Sequence, residues 1–328
     1  MRRFIAGLAA VLLATTQAVA QTPAAISAFP TKPITIIVSV APGGTLDALA
    51  RIMATSLTTT LKQPVLVENV TGAGGLVGFQ RLMKSPADGY TLMFSNMSMV
   101  LIPLLYPKAG INAVSDVAPI GTIATVPMVL GVSHKSGIPD LATMLARMRD
   151  GSLKPDLGSG GPGTTAHLAE GLFLQLAGGK GELIQYRGSG PALTDLMAGT
   201  IDAVIDQTVT MMPMHQDKRI KAIAVSSPQR VPQMPDVPTF AESGLPEFDL
   251  SIWNGFVAPK GTPKAVVDAL AEALSKVIDS PDYKERLDQL ASQAPAPAER
   301  GPAAFTQVLQ RDQKRLAGMA QAAGLQAR

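Results

Sequence analysis

Ile34-Thr35-Ile36-Ile37-Val38-Ser39-Val40-Ala41-Pro42-Gly43-Gly44-Thr45-Leu46-Asp47 reads as a strand that ends in a glycine turn and opens a helix. Six of the first seven residues are β-branched, which suits a pleated, buried strand. Ala41-Pro42-Gly43-Gly44 breaks it, because proline donates nothing to a ladder and glycine adopts turn conformations freely. Beyond the turn, Leu46, Leu49, Ala50, Ile52, Met53 and Leu57 fall on one helical stripe. Asp47 falls in the first turn, where a carboxylate offsets the helix dipole, so it reads as a cap. Strand, tight turn and helix together form the repeating unit of a parallel sheet covered by helices. The fold class is therefore α/β.

Outward from this stretch the unit recurs. A strand at 65–67, the turn Gly72-Ala73-Gly74-Gly75, a helix to Lys84 and a strand at 90–94 follow, closed by Ser95-Asn96-Met97-Ser98. A second set begins with a strand at 128–132 and a helix at 138–150. Next comes the glycine loop Gly158-Ser159-Gly160-Gly161-Pro162-Gly163, then a helix capped by Thr164 or Thr165 with Leu168, Leu172, Phe173 and Leu176 on its apolar face. Strands are expected at 182–185, 203–206 and 221–225, with a helix at 191–198. Prolines 228, 232, 235, 238 and 246 impose a long extended connection. A strand at 252–257 precedes helices at 263–279, 281–291 and 301–323. This order predicts two lobes, each a mostly parallel sheet flanked by helices. Lobe one is residues 25–126 plus 250–328 and lobe two is 127–249. The strands at 127–132 and 252–257 cross between them as a hinge.

The 328 residues are 46% hydrophobic and 16% charged, which supports full cores and excludes a disordered chain. A formal charge of +3 is too small a surplus for a nucleic-acid footprint, so no nucleic-acid partner is expected. With no cysteine there is no disulfide, thiolate metal site or cysteine nucleophile. At the start, Arg2 and Arg3 precede an apolar run from Phe4 to Ala14 and an Ala18-Val19-Ala20 site. This is the grammar of a cleaved leader, with processing after Ala20, and the run is too short to span a bilayer. An exported chain is expected.

Candidate chemistry is sparse. Gly158, Gly160 and Gly163 satisfy G-x-G-x-x-G, but a dinucleotide site also needs a firm strand before and an acid after the next strand. That strand ends Gln185-Tyr186-Arg187. No G-x-S-x-G elbow is present, and His134, His167 and His215 stand far apart, so neither a triad nor a histidine metal site is indicated. His167, in the first turns of a helix, reads as a packed neutral histidine. Most methionines read as core filling. Neither a cofactor nor a metal is expected. The physics that survives is that of two helix N-termini with glycine before them, which offer free N–H groups and partial positive charge to an anion.

Several motifs are similar to those of the tripartite tricarboxylate transporter substrate-binding proteins, the Bug family. They include Ile36-Ile37-Val38 leading to Ala41-Pro42-Gly43-Gly44, and Val67-Glu68-Asn69 before Gly72-Ala73-Gly74-Gly75. Asp88-Gly89-Tyr90-Thr91-Leu92 and the run from Tyr186-Arg187-Gly188 to Thr194-Asp195-Leu196 also match, as do Pro235-Asp236-Val237-Pro238-Thr239 and Ala258-Pro259. The resemblance implies a periplasmic solute receptor of the type II binding-protein fold, in which a small organic acid is enclosed between lobes and handed to transporter membrane subunits. A monomer is expected, and the missing cysteine and isolated histidines predict that the bound acid is not turned over.

On that resemblance the ligand-binding residues are Ala41, Gly43, Gly44 and Thr45 in the first loop and Thr164 and Thr165 in the second. Asn96, Met97, Ser98 and Asp206 complete the wall. One ligand carboxylate is expected on the N–H groups of Gly43, Gly44 and Thr45. Val40 stands where the family commonly has Phe, and Leu46 where it has a small hydroxyl residue, so a wider and more apolar pocket is expected. An exported enzyme on the same scaffold and a ligand receptor for a sensor kinase stay open as alternatives.

Overall fold

The computed structural model describes residues 29–322. The expected leader, its processing site, residues 25–28 and residues 323–328 lie outside the described residues.

The first half is built from β1 (Ile34–Val38), α1 (Thr45–Leu61), β2 (Val65–Asn69), α2 (Leu76–Met83), β3 (Thr91–Asn96) and α3 (Ser98–Leu105). β1 lies between β2 and β3, parallel to both. Ile34, Ile36, Ile37 and Val38 are fully buried, since helices cover both faces of a parallel sheet. The stripe read on α1 is the face that packs: Leu46, Leu49, Ala50, Met53 and Leu57 are buried.

The second half follows β4 (Val117–Val132). It comprises α4 (Leu141–Arg149), β5 (Asp156–Ser159), α5 (Thr165–Ala177), β6 (Glu182–Gln185), α6 (Ser189–Ala198), β7 (Ala203–Gln207), α7 (Thr208–Gln216) and β8 (Lys221–Val225). β5 runs parallel to β6 and β7, whereas β4 is antiparallel to both β7 and β8. The chain then returns through β9 (Ser251–Pro259) to α8 (Lys264–Asp279), α9 (Pro281–Gln289) and α10 (Gly301–Ala322).

Two expectations are corrected here. The half-sheets are not separate: the hydrogen-bonded order β2-β1-β3-β9-β4-β7-β5-β6 is continuous, because β4 belongs to both. Residues 117–127 of β4 pair with β9, and residues 128–132 pair with β7 and β8. Nor does this strand start at 128. Pro119, Gly121 and Pro127 argue against strand locally, but register shifts at Pro119/Gly121 and Thr122/Ala124 absorb the first two. Among the described strands every antiparallel pair involves one of the two crossing strands, β9 against β3 and β4, and β4 against β7 and β8, while the other pairs are parallel.

The two crossings are pinned together by one hydroxyl. Ser226 Oγ accepts from Met128 N at 2.8 Å and donates to Leu250 O at 2.7 Å. α10 packs against β4, α3 and α5, and so touches both halves. Trp253 on β9 stacks edge-on against Phe305 of α10 at 5.1 Å, and its Nε1–H donates to the fully buried Asp312 at 2.6 Å. α3 and α7 carry no amphipathic stripe. Six of the eight residues of α3 are buried, so periodicity has nothing to report there.

Candidate functional site

Five helices begin at one place. The N-terminal residues of α1 (Gly44, Thr45), α3 (Ser98), α5 (Thr164, Thr165), α6 (Ser189) and α7 (Gln207) line a narrow cavity of about 30 Å³. Val40, Leu46, Gly74, Asn96 and Asp206 complete it. It shares Val40, Gly74 and Thr164 with an outer cleft of about 410 Å³ that is also walled by Ser39, Tyr106, Tyr186 and Arg187. No lysine or arginine lines the inner cavity. The N–H groups of Ser98, Thr164 and Gln207 are taken by Asn96 Oδ1, Gly161 O and Asp206 Oδ1, so what the cavity offers an anion is the dipoles of the converging helices and its hydroxyl groups.

The first loop is braced from within its own half. The N–H of Gly43 donates to Asp47 Oδ2 at 3.2 Å, and Asp47 is held in turn by Arg51 at 2.9 and 3.0 Å and by Asn69 at 2.9 Å. Burial pushes the Asp47 carboxyl up, but the hydrogen bonds from Arg51, Asn69 and Gly43 outweigh it and hold it below the ordinary aspartate range. The cap reading of Asp47 fits this geometry. In the second loop Thr164 caps α5, accepting from His167 N at 3.2 Å while its hydroxyl donates to Gly161 O at 2.8 Å. His167 Nδ1 accepts the N–H of Gly163 at 3.3 Å, so that nitrogen carries no proton.

The halves touch across the cavity through both backbone and side chains. The N–H of Ala41 donates to Arg187 O at 3.3 Å. Gly74 approaches the second loop so closely that a Cβ there would sit 2.0 Å from Pro162 O. Gly44 faces Ser189 and Gly190 with more room, a Cβ meeting Ser189 Cβ at 3.6 Å. Thr45 Oγ1 lies 3.1 Å from Thr210 Oγ1, which donates to Asp206 Oδ2 at 3.1 Å.

Asp206 is 2% exposed on the cavity wall. Burial raises its carboxyl to about 6, against the downward pull of hydrogen bonds from Gln207 N–H, Thr210, Ser189 and Thr45. Glu170 on α5, fully buried, is pushed well above the ordinary range by burial, with the Asp206 charge adding to the rise.

Seven of the ten residues singled out from sequence line the cavity: Gly44, Thr45, Asn96, Ser98, Thr164, Thr165 and Asp206. Three do not. Ala41 spends its N–H on Arg187 O, Gly43 spends its own on Asp47, and Met97 is fully buried in the apolar core while its neighbours Asn96 and Ser98 reach the cavity. Val40 and Leu46 line it as well.

Gly74, Ser189 and Gln207 were not legible as lining residues. Reading α6 from Pro191 hid Ser189, because its first turn lies two residues earlier. β5 proves a firm strand before the G-x-G-x-x-G loop, yet β6 still ends at Gln185 without an acid. Among the described residues no group of three His, Cys, Asp or Glu side chains could hold a metal ion.

Comparison with known proteins bears on the whole chain. The family model described as tripartite tricarboxylate transporter family receptor matches residues 49–325. A Pseudomonas sp. strain P51 protein, from the tcbD–tcbE intergenic region, is 38% identical over 290 residues, covering 88% of this chain and 85% of that one. The structure of the periplasmic binding protein BugD superposes with a TM-score of 0.86 at 31% identity, over 92% of this chain and 100% of that chain. MatC of Rhodopseudomonas palustris, solved with bound malate, gives 0.84 at 30% identity over 89% and 99%. With its fold, its ring of helix ends and these matches in agreement, the chain belongs to the tripartite tricarboxylate transporter receptor family.

Proposed function

We propose that the chain is a periplasmic receptor that closes around a small organic acid and delivers it to the membrane subunits of a tripartite transporter. The observation that carries this reading is the convergence of five helix N-termini on a cavity that no basic side chain lines. Such a site holds a carboxylate by converging helix dipoles and fixed hydroxyl donors, and it releases its ligand when the halves part and the donor set is split. MatC binds malate in a matching fold, which supports a dicarboxylate of similar size. We assign lobe one to residues 25–126 plus 250–328 and lobe two to 127–249, acting as a monomer after removal of the leader at Ala20. The bound acid is held without turnover.

The test is mass spectrometry of ligand released from purified protein, followed by isothermal titration with that compound. Recovery of a small carboxylic acid that rebinds at a ratio of one to one is the expected result. A recovered ligand without a carboxylate, or one chemically changed on incubation, overturns the reading.

A further inference from the structure

The end of β7 places an acceptor and an amide side by side on the cavity wall. Asp206 is followed by Gln207, which caps α7 and is 1% exposed. Behind Gln207 lies Asn254, in the middle of β9, where it pairs with Asn96 of β3 and Ala124 of β4. Asn254 is 0% exposed.

Its amide can be oriented from chemistry alone. Nδ2 lies 3.2 Å from the main-chain oxygen of Ile252, a group that only accepts, so the NH2 end of Asn254 must face it. The same NH2 group reaches Gln207 Oε1 at 3.0 Å. With its oxygen held in this way, Gln207 keeps Nε2 and both its hydrogens for another partner. Among the described residues Nε2 makes no hydrogen bond, and Gln207 lines the cavity.

A second observation points the same way. Asn254 Oδ1 is buried without a hydrogen-bond partner among the described residues. An orphaned acceptor inside a sheet is unfavourable, and an apolar residue would avoid it at no loss to the ladder. Such breaches of local preference are expected where function needs them.

We infer that Gln207 presents its Nε2–H group to a carboxylate oxygen at the hinge end of the bound acid, and that Asn254 is the positioning residue that sets this orientation. This rests on the reading of the chain as a carboxylate receptor. Asp206 beside it accepts, so the two residues together favour an acid carrying a hydroxyl or other donor next to that carboxylate. Because Asn254 belongs to the strand joining the two halves, the amide is aimed before the ligand arrives. Preorganisation of this kind lowers the ordering cost of binding.

The test uses the full chain and a panel of C4 to C6 dicarboxylates, malate and adipate included. The tightest binder serves as the probe, together with its half-amide. Gln207→Met keeps shape and removes the donor, and it should weaken the diacid about tenfold or more, the loss of one hydrogen bond to a charged group. Gln207→Glu should shift preference towards the half-amide. Asn254→Leu should weaken the diacid in the parent but not in the Gln207→Met background, a coupling that a merely structural role would not produce.

An unchanged melting temperature with diacid affinity within twofold of the parent in Gln207→Met overturns the contact. Fully additive losses overturn the positioning role while leaving the contact. If the parent binds no acid of the panel, the inferred diacid contact of Gln207 falls, while the carboxylate reading is decided by the ligand recovered from the purified protein.

Discussion

The two glycine loops obey one grammar and differ in what holds them. In each, the N–H of the glycine preceding the cap is taken by a side chain four residues on: Gly43 by Asp47 at 3.2 Å and Gly163 by His167 at 3.3 Å. Lobe one uses a carboxylate, anchored by Arg51 and Asn69. Lobe two uses a ring nitrogen and a threonine cap, both neutral. A carboxylate at the start of α1 offsets the positive end of that helix, whereas neutral groups at the start of α5 leave its field for a ligand. Lobe one thus supplies a rigid wall, and lobe two is expected to supply the stronger pull on the anion. Equal sequence motifs do not imply equal roles.

The sharpest break in this pairing is steric. Gly74 has φ +61°, and a Cβ there would lie 2.0 Å from Pro162 O of the second half, so the two halves could not approach this closely. Gly74→Ala should weaken ligand binding about a hundredfold or more, whereas the left-handed backbone alone costs only ~1–2 kcal/mol of stability. Gly44→Ala, at φ −89° and with 3.6 Å to its nearest neighbour, should change affinity less than about threefold. Titration of both variants checks this, and equal losses would remove the distinction between the two contacts.

Next in size is the brace itself. Asp47→Ala removes the acceptor of four hydrogen bonds, from Gly43, twice from Arg51 and from Asn69, and should lower unfolding stability by ~2–3 kcal/mol in urea, whereas His167→Ala, which removes the acceptor of the Gly163 N–H, should cost ~1 kcal/mol. Thr164→Ala removes a helix cap and should cost ~1 kcal/mol. It should also weaken the ligand several-fold, which the Asp47 change should do only in proportion to its effect on loop rigidity.

The remaining expected effect is on pH, and it has opposite signs in the two lobes. The Asp47 carboxyl is held low, so its contribution is complete above the ordinary aspartate value near ~4 and disappears only as pH falls below it. The Asp206 carboxyl is raised to about 6, so its burial lowers stability as pH rises from ~4 to 6. Above 6 its charge opposes an anion in the same cavity. Affinity for the probe acid should therefore rise a few-fold, up to about tenfold, between pH 7.5 and 6, then level off. Asp206→Asn should flatten that profile; a profile unchanged by it would assign the titration elsewhere, with the nearby Glu170 the first candidate.

What could be read from sequence followed from local chemistry. β-branched runs and the stripe of α1 dictated the α/β class, and glycine before a helix marked both loops. Gln207 gave no such signal, because its role is conferred by Asn254, 47 residues away. Gly74 looked like a turn residue, and only the approach of Pro162 from the other half turns it into a contact. The first part of β4 was hidden by Pro119, Gly121 and Pro127, whose strand state depends on pairing with β9. Each miss is a case of distant chain overriding local preference.

The position of β9 has a consequence for how the molecule comes into being. β9 lies between β3 and β4, so β1, β2 and β3 are not joined to β4 until residues 251–259 have been made. During synthesis the second half can complete its own ladder β4-β7-β5-β6 and add β8 before that point, whereas β1, β2 and β3 must wait with one side unpaired. The nascent chain therefore finishes its middle before its beginning, and exposed β3 is the edge that a chaperone would need to shield in the interval.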